Sequence, residues 1–181
     1  MRKTVSWVPF DEVGALELAV AAAGSSLAAI VLEPVVNEAP SIEWLTRARE
    51  LCDAHGAVLV FDEIKTGFRV APGGYSEFSG VQPDLALYGK AMANGYPLSA
   101  IVGRQPIMEC ARESWISSTL ASEATSLAAA IAVLDWHEEA DICATLAETG
   151  KEMRAALDRA IVASGIDGVT TLGIDQMWMI K

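Results

Sequence analysis

The sequence predicts an α/β fold built on a mostly parallel sheet with flanking helices. Three observations lead there. Leu27–Leu32, Ala57–Phe61 and Leu85–Tyr88 are short, continuous apolar runs, the pattern of strands covered on both faces. A capped amphipathic helical pattern separates the first two. Strand, helix and strand at this spacing call for a right-handed parallel crossover.

Phe10–Ala23 reads as a helix with Asp11 as N-cap and Val13, Leu16, Leu18 and Val20 as its apolar stripe. Gly24, Ser25 and Ser26 end it. Pro34 cannot donate to a ladder, so the first strand stops at Glu33. Val35–Pro40 is a loop. Ser41–His55 is the second helix, with Ser41 as N-cap and Gly56 at C′. Ile42, Leu45, Ala48 and Cys52 share its core face, and Glu43, Arg47, Arg49, Glu50 and Asp53 its wet face.

Gly67, Gly73, Gly74 and Gly80 mark a long turn-rich connection to the third strand. It matches neither a P-loop nor a GxGxxG fingerprint. Leu98–Val102 is a further strand. Gln105–Glu113 is a short helix with Pro106 in its first turn. Ser114–Thr119 is polar and strand- or loop-like. Glu123–Trp136 is an Ala-rich helix with Ser122 as candidate cap, followed by a longer helix near Ala140–Ala163 that Gly165 ends. Val169–Ile180 alternates like the opening strands of a small C-terminal domain. No repeat, coiled coil or low-complexity linker interrupts the chain.

The 181 residues suffice for one domain with a real core, and 52% apolar with 20% charged content is that of an ordinary globular protein. A formal charge of −11, with 13 Lys and Arg in no dense run, argues against nucleic acid and anionic membrane surfaces. No apolar run is long enough to span a bilayer. The start, MRKTVSWVPF, has no secretory pattern, and a cytoplasmic protein is expected. Cys52, Cys110 and Cys143 are scattered and read as reduced packing residues. Neither His55 nor His137 has a second ligand at i+4, so no metal site is expected.

The stretch Ala57–Gly103 carries the chemistry. Its two apolar runs end on Asp62 and, after Gly89, on Lys90. A charge at the carboxyl end of a buried strand is costly unless it meets a partner or ligand, and that edge of an open α/β sheet is where ligands bind. An acid and an amine side by side suggest a cofactor needing both.

FDEIKTGFR at 61–69 and PDLALYGKAMANGYPLSAIVGR at 83–104 resemble the core of a class III (subgroup II) aminotransferase dependent on pyridoxal phosphate. The nearest likeness is the glutamate-1-semialdehyde 2,1-aminomutase group. VLEP at 31–34 and ISSTLASEATSLAAA at 116–130 are further landmarks, and the resemblance runs from about Ser6 to the C-terminus. It implies part of a fold-type-I, pyridoxal-phosphate-binding large domain over residues 1–135 and, over 136–181, a helix and the start of the C-terminal small domain. A complete member is more than twice as long, so the chain looks like a central fragment whose sheet would carry an unpaired edge.

The resemblance also implies roles. Lys90 would form the aldimine with pyridoxal 5′-phosphate and then shuttle a proton between the substrate and the cofactor. Gly89 would let the backbone pass close. Asp62 would pair with the pyridinium nitrogen, and Ile64 would press on one ring face. Glu63 faces away by strand alternation and is structural. Ser118 and Thr119 would reach across a homodimer interface to the partner's cofactor phosphate. Relatives often read GT-x-x-GNP there, whereas this chain reads STLASEAT. Two readings of Glu33 stand, at the cofactor edge or as a solvated strand-end carboxylate. Lys65 is read as a solvated lysine, with a role at the phenolic oxygen as the alternative. Arg69 is read as a loop salt bridge rather than a substrate-carboxylate ligand, and Tyr88 as core. The loop after Glu33 is shorter than the Gly-rich connection common in the family. The implied reaction moves an amino group on a small amino or keto substrate. It is either the aminomutase rearrangement or an intermolecular transamination of an amino acid, amine or keto-sugar. A catalytically silent fragment is the third reading.

Overall fold

The structure is a computed structural model that describes residues 4–181; Arg2 and Lys3 of the basic N-terminus lie outside the described residues. Four strands form the central sheet in the order β1 (Ala29–Leu32), β2 (Val58–Asp62), β3 (Leu85–Tyr88) and β4 (Ala100–Gly103). The first three are parallel and β4 runs antiparallel to β3. A two-stranded hairpin, β5 (Thr171–Ile174) and β6 (Met177–Ile180), forms a second sheet, with Ile174 and Met177 packed against the main core.

Helix α1 (Val13–Ala23) and helix α2 (Ile42–His55) cover one face. Ser41 caps α2 by accepting from the Trp44 amide at 3.2 Å, and Gly56 closes it in the left-handed conformation at φ 64°. Leu45, Ala48 and Cys52 pack with Leu59 and Phe61 of β2 in one core cluster. Fully burying a side chain of this size contributes roughly 1.5–3 kcal/mol, so this face anchors the sheet. Ile42, placed on the core face from sequence, is 50% exposed. Trp44 takes the buried position at that end instead, edged against Phe10 at 5.1 Å.

Two caps differ from expectation. Asp11 has φ 61° and makes no N-cap bond; Glu12 occupies the cap position of α1 without a side-chain bond. An N-cap needs extended backbone to aim its oxygen at the first turn, and Asp11 lacks it. Its Oδ1 instead accepts from the Ser41 amide (2.9 Å) and hydroxyl (2.6 Å), joining the starts of α1 and α2. Ser122 likewise has φ 65°, and Glu123 caps α5 (Ala124–Glu139) through the Thr125 and Ser126 amides at 2.7 and 2.8 Å.

β1 is not covered on both faces. Leu32 is buried, but Val31 is 67% exposed. The helices that follow β1 and precede it both pack on the Leu32 side, and β1 is an edge of the four-stranded sheet. Helix α3 (Tyr75–Ser79) lies in the long connection between β2 and β3, and α4 (Gln105–Cys110) follows β4. Helix α6 (Ile142–Ser164) packs along β6. Its Arg154 donates to the Thr171 hydroxyl and the Gly173 carbonyl, both at 2.9 Å. Among the described residues no helix is long and apolar enough to cross a membrane.

Candidate active site

The carboxyl ends of β2 and β3 meet at one end of the sheet. Asp62, the last residue of β2, is in register with Leu87 of β3, and Gly89 and Lys90 follow just beyond. Three residues span at most about 10 Å, so Asp62 and Lys90 emerge at the same edge. Ile64 joins them. A Cβ built on Gly89 would sit 3.5 Å from Ile64 Cγ2, which places Ile64 directly beside the residue preceding Lys90. That contact is ordinary van der Waals distance, so the chain itself leaves room for a methyl at Gly89.

Asp62 is half-buried, and its Oδ1 accepts from the Ile64 amide at 3.1 Å. Its other oxygen takes no hydrogen bond among the described residues. Lys90 is exposed, opens a short 3-10 turn, and holds φ 42°. Its ammonium likewise makes no ion pair among the described residues. A left-handed backbone on a residue with a Cβ carries a cost of roughly 1–2 kcal/mol, and such strain clusters at functional positions. A half-buried carboxylate with a free oxygen and an unpaired amine, on adjacent strand ends, fit the two polar ends of a pyridine aldehyde.

Glu63 points the other way, as strand alternation requires, and is fully buried. It accepts from the Thr66 hydroxyl and from the Tyr75 and Ser76 amides, both at 2.8 Å. Tyr88 is half-buried; its hydroxyl donates to the Gly73 carbonyl at 2.9 Å, and its ring meets Phe68 edge-on at 5.7 Å. Burial, reinforced by the Glu63 carboxylate, raises the Tyr88 phenol above its ordinary range. Thus Tyr88 is a tie as well as packing.

Glu33, left open from sequence, and Lys65, read there as solvated, form a 2.7 Å ion pair at the ends of β1 and β2. Lys65 also donates to the Val36 carbonyl at 3.0 Å. The lysine is therefore engaged rather than freely solvated. Arg69 makes no loop salt bridge among the described residues; its guanidinium donates to the Gln176 carbonyl in the β5–β6 turn at 3.1 Å. That partner is 107 positions away and could not be read from local sequence. Ser118 and Thr119 lie exposed in the segment before α5, away from the Asp62 edge in chain connectivity and without a bond to it. The structure brings Asp62, Ile64 and Lys90 together and leaves Ser118 and Thr119 facing outward.

Sequence reasoning missed Asp84. It is 3% exposed at the start of β3, the opposite end of the sheet from Lys90. Arg49 and Arg104 each bond it at 2.8 Å, and the Leu59 amide donates to it at 2.8 Å. Burial pushes its carboxyl up, but these donors outweigh it and hold it below the usual carboxylate range. Its position before the apolar run Leu85–Tyr88 was the only signal. It is a structural knot, remote from the candidate site.

The profile of the family "Aminotransferase class-III" matches residues 9–174. The chain belongs to the class-III aminotransferases. A glutamate-1-semialdehyde 2,1-aminomutase of Methanosarcina acetivorans is 35% identical over 179 residues, 95% of this chain and 42% of that protein. The FumI protein of Sphingopyxis sp. MTA144, solved in its PLP internal aldimine form, superposes with a TM-score of 0.91 at 31% identity. The match covers 97% of this chain and 44% of that one. A β-phenylalanine aminotransferase from Variovorax paradoxus gives 0.84 at 25% identity, over 96% and 42%. The chain spans less than half the length of these relatives. Its α/β architecture is that of the pyridoxal-phosphate-dependent transferases it superposes on, and the family and these neighbours indicate pyridoxal phosphate as the cofactor of the scaffold.

Proposed function

We propose that this chain carries the lysine-bearing half of a pyridoxal-phosphate site and serves amino-group transfer of the glutamate-1-semialdehyde 2,1-aminomutase type. The observation that carries it is the shared edge of Asp62 and Lys90, each with an unengaged polar atom, beside Ile64. When bound, pyridoxal phosphate supplies an aldehyde for an amine and an electron-withdrawing ring. Lys90 would supply the amine that condenses with that aldehyde, with loss of water, and, once the substrate amine has displaced it, would carry a proton to and from the substrate carbon. Asp62 would pair with the ring nitrogen and favour its protonated form, and Ile64 would pack against one ring face. The 35% identity to an aminomutase supports the reaction type. Likeness to a β-phenylalanine aminotransferase supports intermolecular transamination as the second reading.

Ser118 and Thr119 would bind the phosphate of a partner subunit's cofactor in a cytoplasmic homodimer. Their outward placement supports this, as does the exposure of neighbouring Trp115 (97%), Ile116 (75%) and Leu120 (56%). Residues 1–135 would form part of the cofactor domain and 136–181 the start of the small domain, a division supported by the separate β5–β6 hairpin.

Incubation of the purified chain with pyridoxal phosphate tests the reading. A band near ~420 nm is expected, with a borohydride-stable adduct at Lys90. Lys90→Ala should lose both. Absence of the band and adduct from the native chain would sink the proposal for this chain. Half-reaction assays with candidate amino donors then separate aminomutase from transaminase.

A further inference from the structure

Beyond the pair Asp62–Leu87 no ladder bond ties β2 to β3. Lys90, further along, holds a left-handed backbone that surrounding structure must impose. What joins the two strand ends there is the segment between them, fastened at two points.

The first fastening is Glu63, adjacent to Asp62. Three donors converge on this buried carboxylate: the Thr66 hydroxyl and the Tyr75 and Ser76 amides. Gly74 comes so close that a Cβ there would overlap the carboxylate. The second is Tyr88, two residues before Lys90, whose hydroxyl donates to the Gly73 carbonyl. Gly67 lies so near that ring that a Cβ would strike it. The Gly67 amide closes a tight turn on the Glu63 carbonyl at 2.7 Å. The same loop is thus tied to the residue after Asp62 and to the residue two before Lys90. A buried carboxylate is costly unless fully bonded, and here the bonds come from Thr66 in that loop and from the first two amides of α3, which closes it.

We propose that Glu63 and Tyr88 are positioning residues that buckle the segment Ile64–Ser76, the loop and the start of α3, across the ends of β2 and β3, holding Asp62 and Lys90 at a fixed separation. Neither needs to touch the cofactor. The role rests on the reading of Asp62 and Lys90 given above, and its test is built to fail separately.

Amide hydrogen exchange on the whole chain without added cofactor is the first arm. The Ile64 amide donates to Asp62 Oδ1, and the Met92 amide to the Gly89 carbonyl at 2.9 Å, so each reports on one strand end. Glu63→Gln leaves one acceptor oxygen for three donors. Tyr88→Phe removes the second fastening, and Thr66→Val is a milder probe of the first. With secondary structure unchanged by circular dichroism, exchange should quicken about tenfold at Ile64 in all three variants, as expected for a lost hydrogen bond, and at Met92 in Tyr88→Phe. Acceleration confined to Tyr75 and Ser76 would overturn the proposal, since the buckle would then hold only itself. If Glu63→Gln does not fold, Thr66→Val and Tyr88→Phe decide by the same reporters.

The second arm adds pyridoxal phosphate and follows the pH at which the ~420 nm band titrates. It should move in the variants and stay fixed in Glu17→Gln, which breaks only the surface pair with Arg47. An unmoved profile in the variants overturns the proposal as well. A native chain that forms no Lys90 adduct removes the functional reading, and the exchange arm then decides the buckle alone.

Discussion

Asp62 stands in register with Leu87 on a parallel neighbour, so an acid on one strand and Lys90 just past the end of the other leave the sheet together. The lysine does so at φ 42°, in backbone that suits glycine. Lys90→Gly should therefore keep the stability of the native chain, or raise it by up to about 1 kcal/mol, while abolishing any adduct with pyridoxal phosphate. Thermal melts and borohydride trapping read the two effects separately. A clear fall in melting temperature would show that Lys90 is not strained.

Two glycines near this edge should respond oppositely to alanine. Gly89 is extended, and its added methyl would meet Ile64 at 3.5 Å and the Leu98 carbonyl at 3.6 Å. Gly89→Ala should change stability by less than about 1 kcal/mol. Gly74 has φ 81°, and its methyl would overlap Glu63. Gly74→Ala should cost about 2–4 kcal/mol, from strain and from the displaced carboxylate. Urea melts with unchanged slope check both.

The knot at Asp84 separates a buried charge from an exposed one. Asp84 is 3% exposed and Arg104 66%. Asp84→Asn should cost about 3–5 kcal/mol, because one acceptor oxygen remains for three donors and the half-buried Arg49 loses its counter-charge. Arg104→Ala should cost at most about 1 kcal/mol. Equal losses would contradict this burial.

Glu123 makes the acid side of stability visible. Bonds from Thr125 first, and then Ser126, lower its carboxyl to about 2 from an ordinary 4.5. A lowered folded-state value favours folding above the ordinary value, and that contribution is lost as pH falls from about 4.5 through about 2. Glu123→Gln should flatten the decline of melting temperature within that window and leave the remainder of the profile alone. The group is exposed, so added salt should shrink the effect.

Much of the fold was legible because its signals are local. Ser41 and Gly56 bracket α2 as cap and left-handed stop, since both act on backbone within one turn. The apolar runs became β1, β2 and β3 within one or two residues, and the β1–β2 crossover is parallel as the spacing requires. Asp11 and Ser122 misled for the same reason. Each is a good cap by composition, but each holds a positive φ, which does not aim its oxygen at the first turn of the helix that follows. The two-sided cover expected of β1 also failed, because an apolar run cannot say on which side helices will pack.

The amino-acid order by itself determined the strand-end acid and amine, their 28-residue offset and the bounds of α2, because strand runs and capping are written in neighbouring residues; α3, inside the turn-rich connection, was not foreseen. Only the tertiary structure decided that Glu63 fastens a loop to Tyr75 and Ser76, that Glu33 answers Lys65, and that Asp84 gathers two arginines. Those partners are far apart along the chain or hidden inside a glycine-rich loop. A buried charge chooses its partner by distance in space, and composition carries no record of that distance.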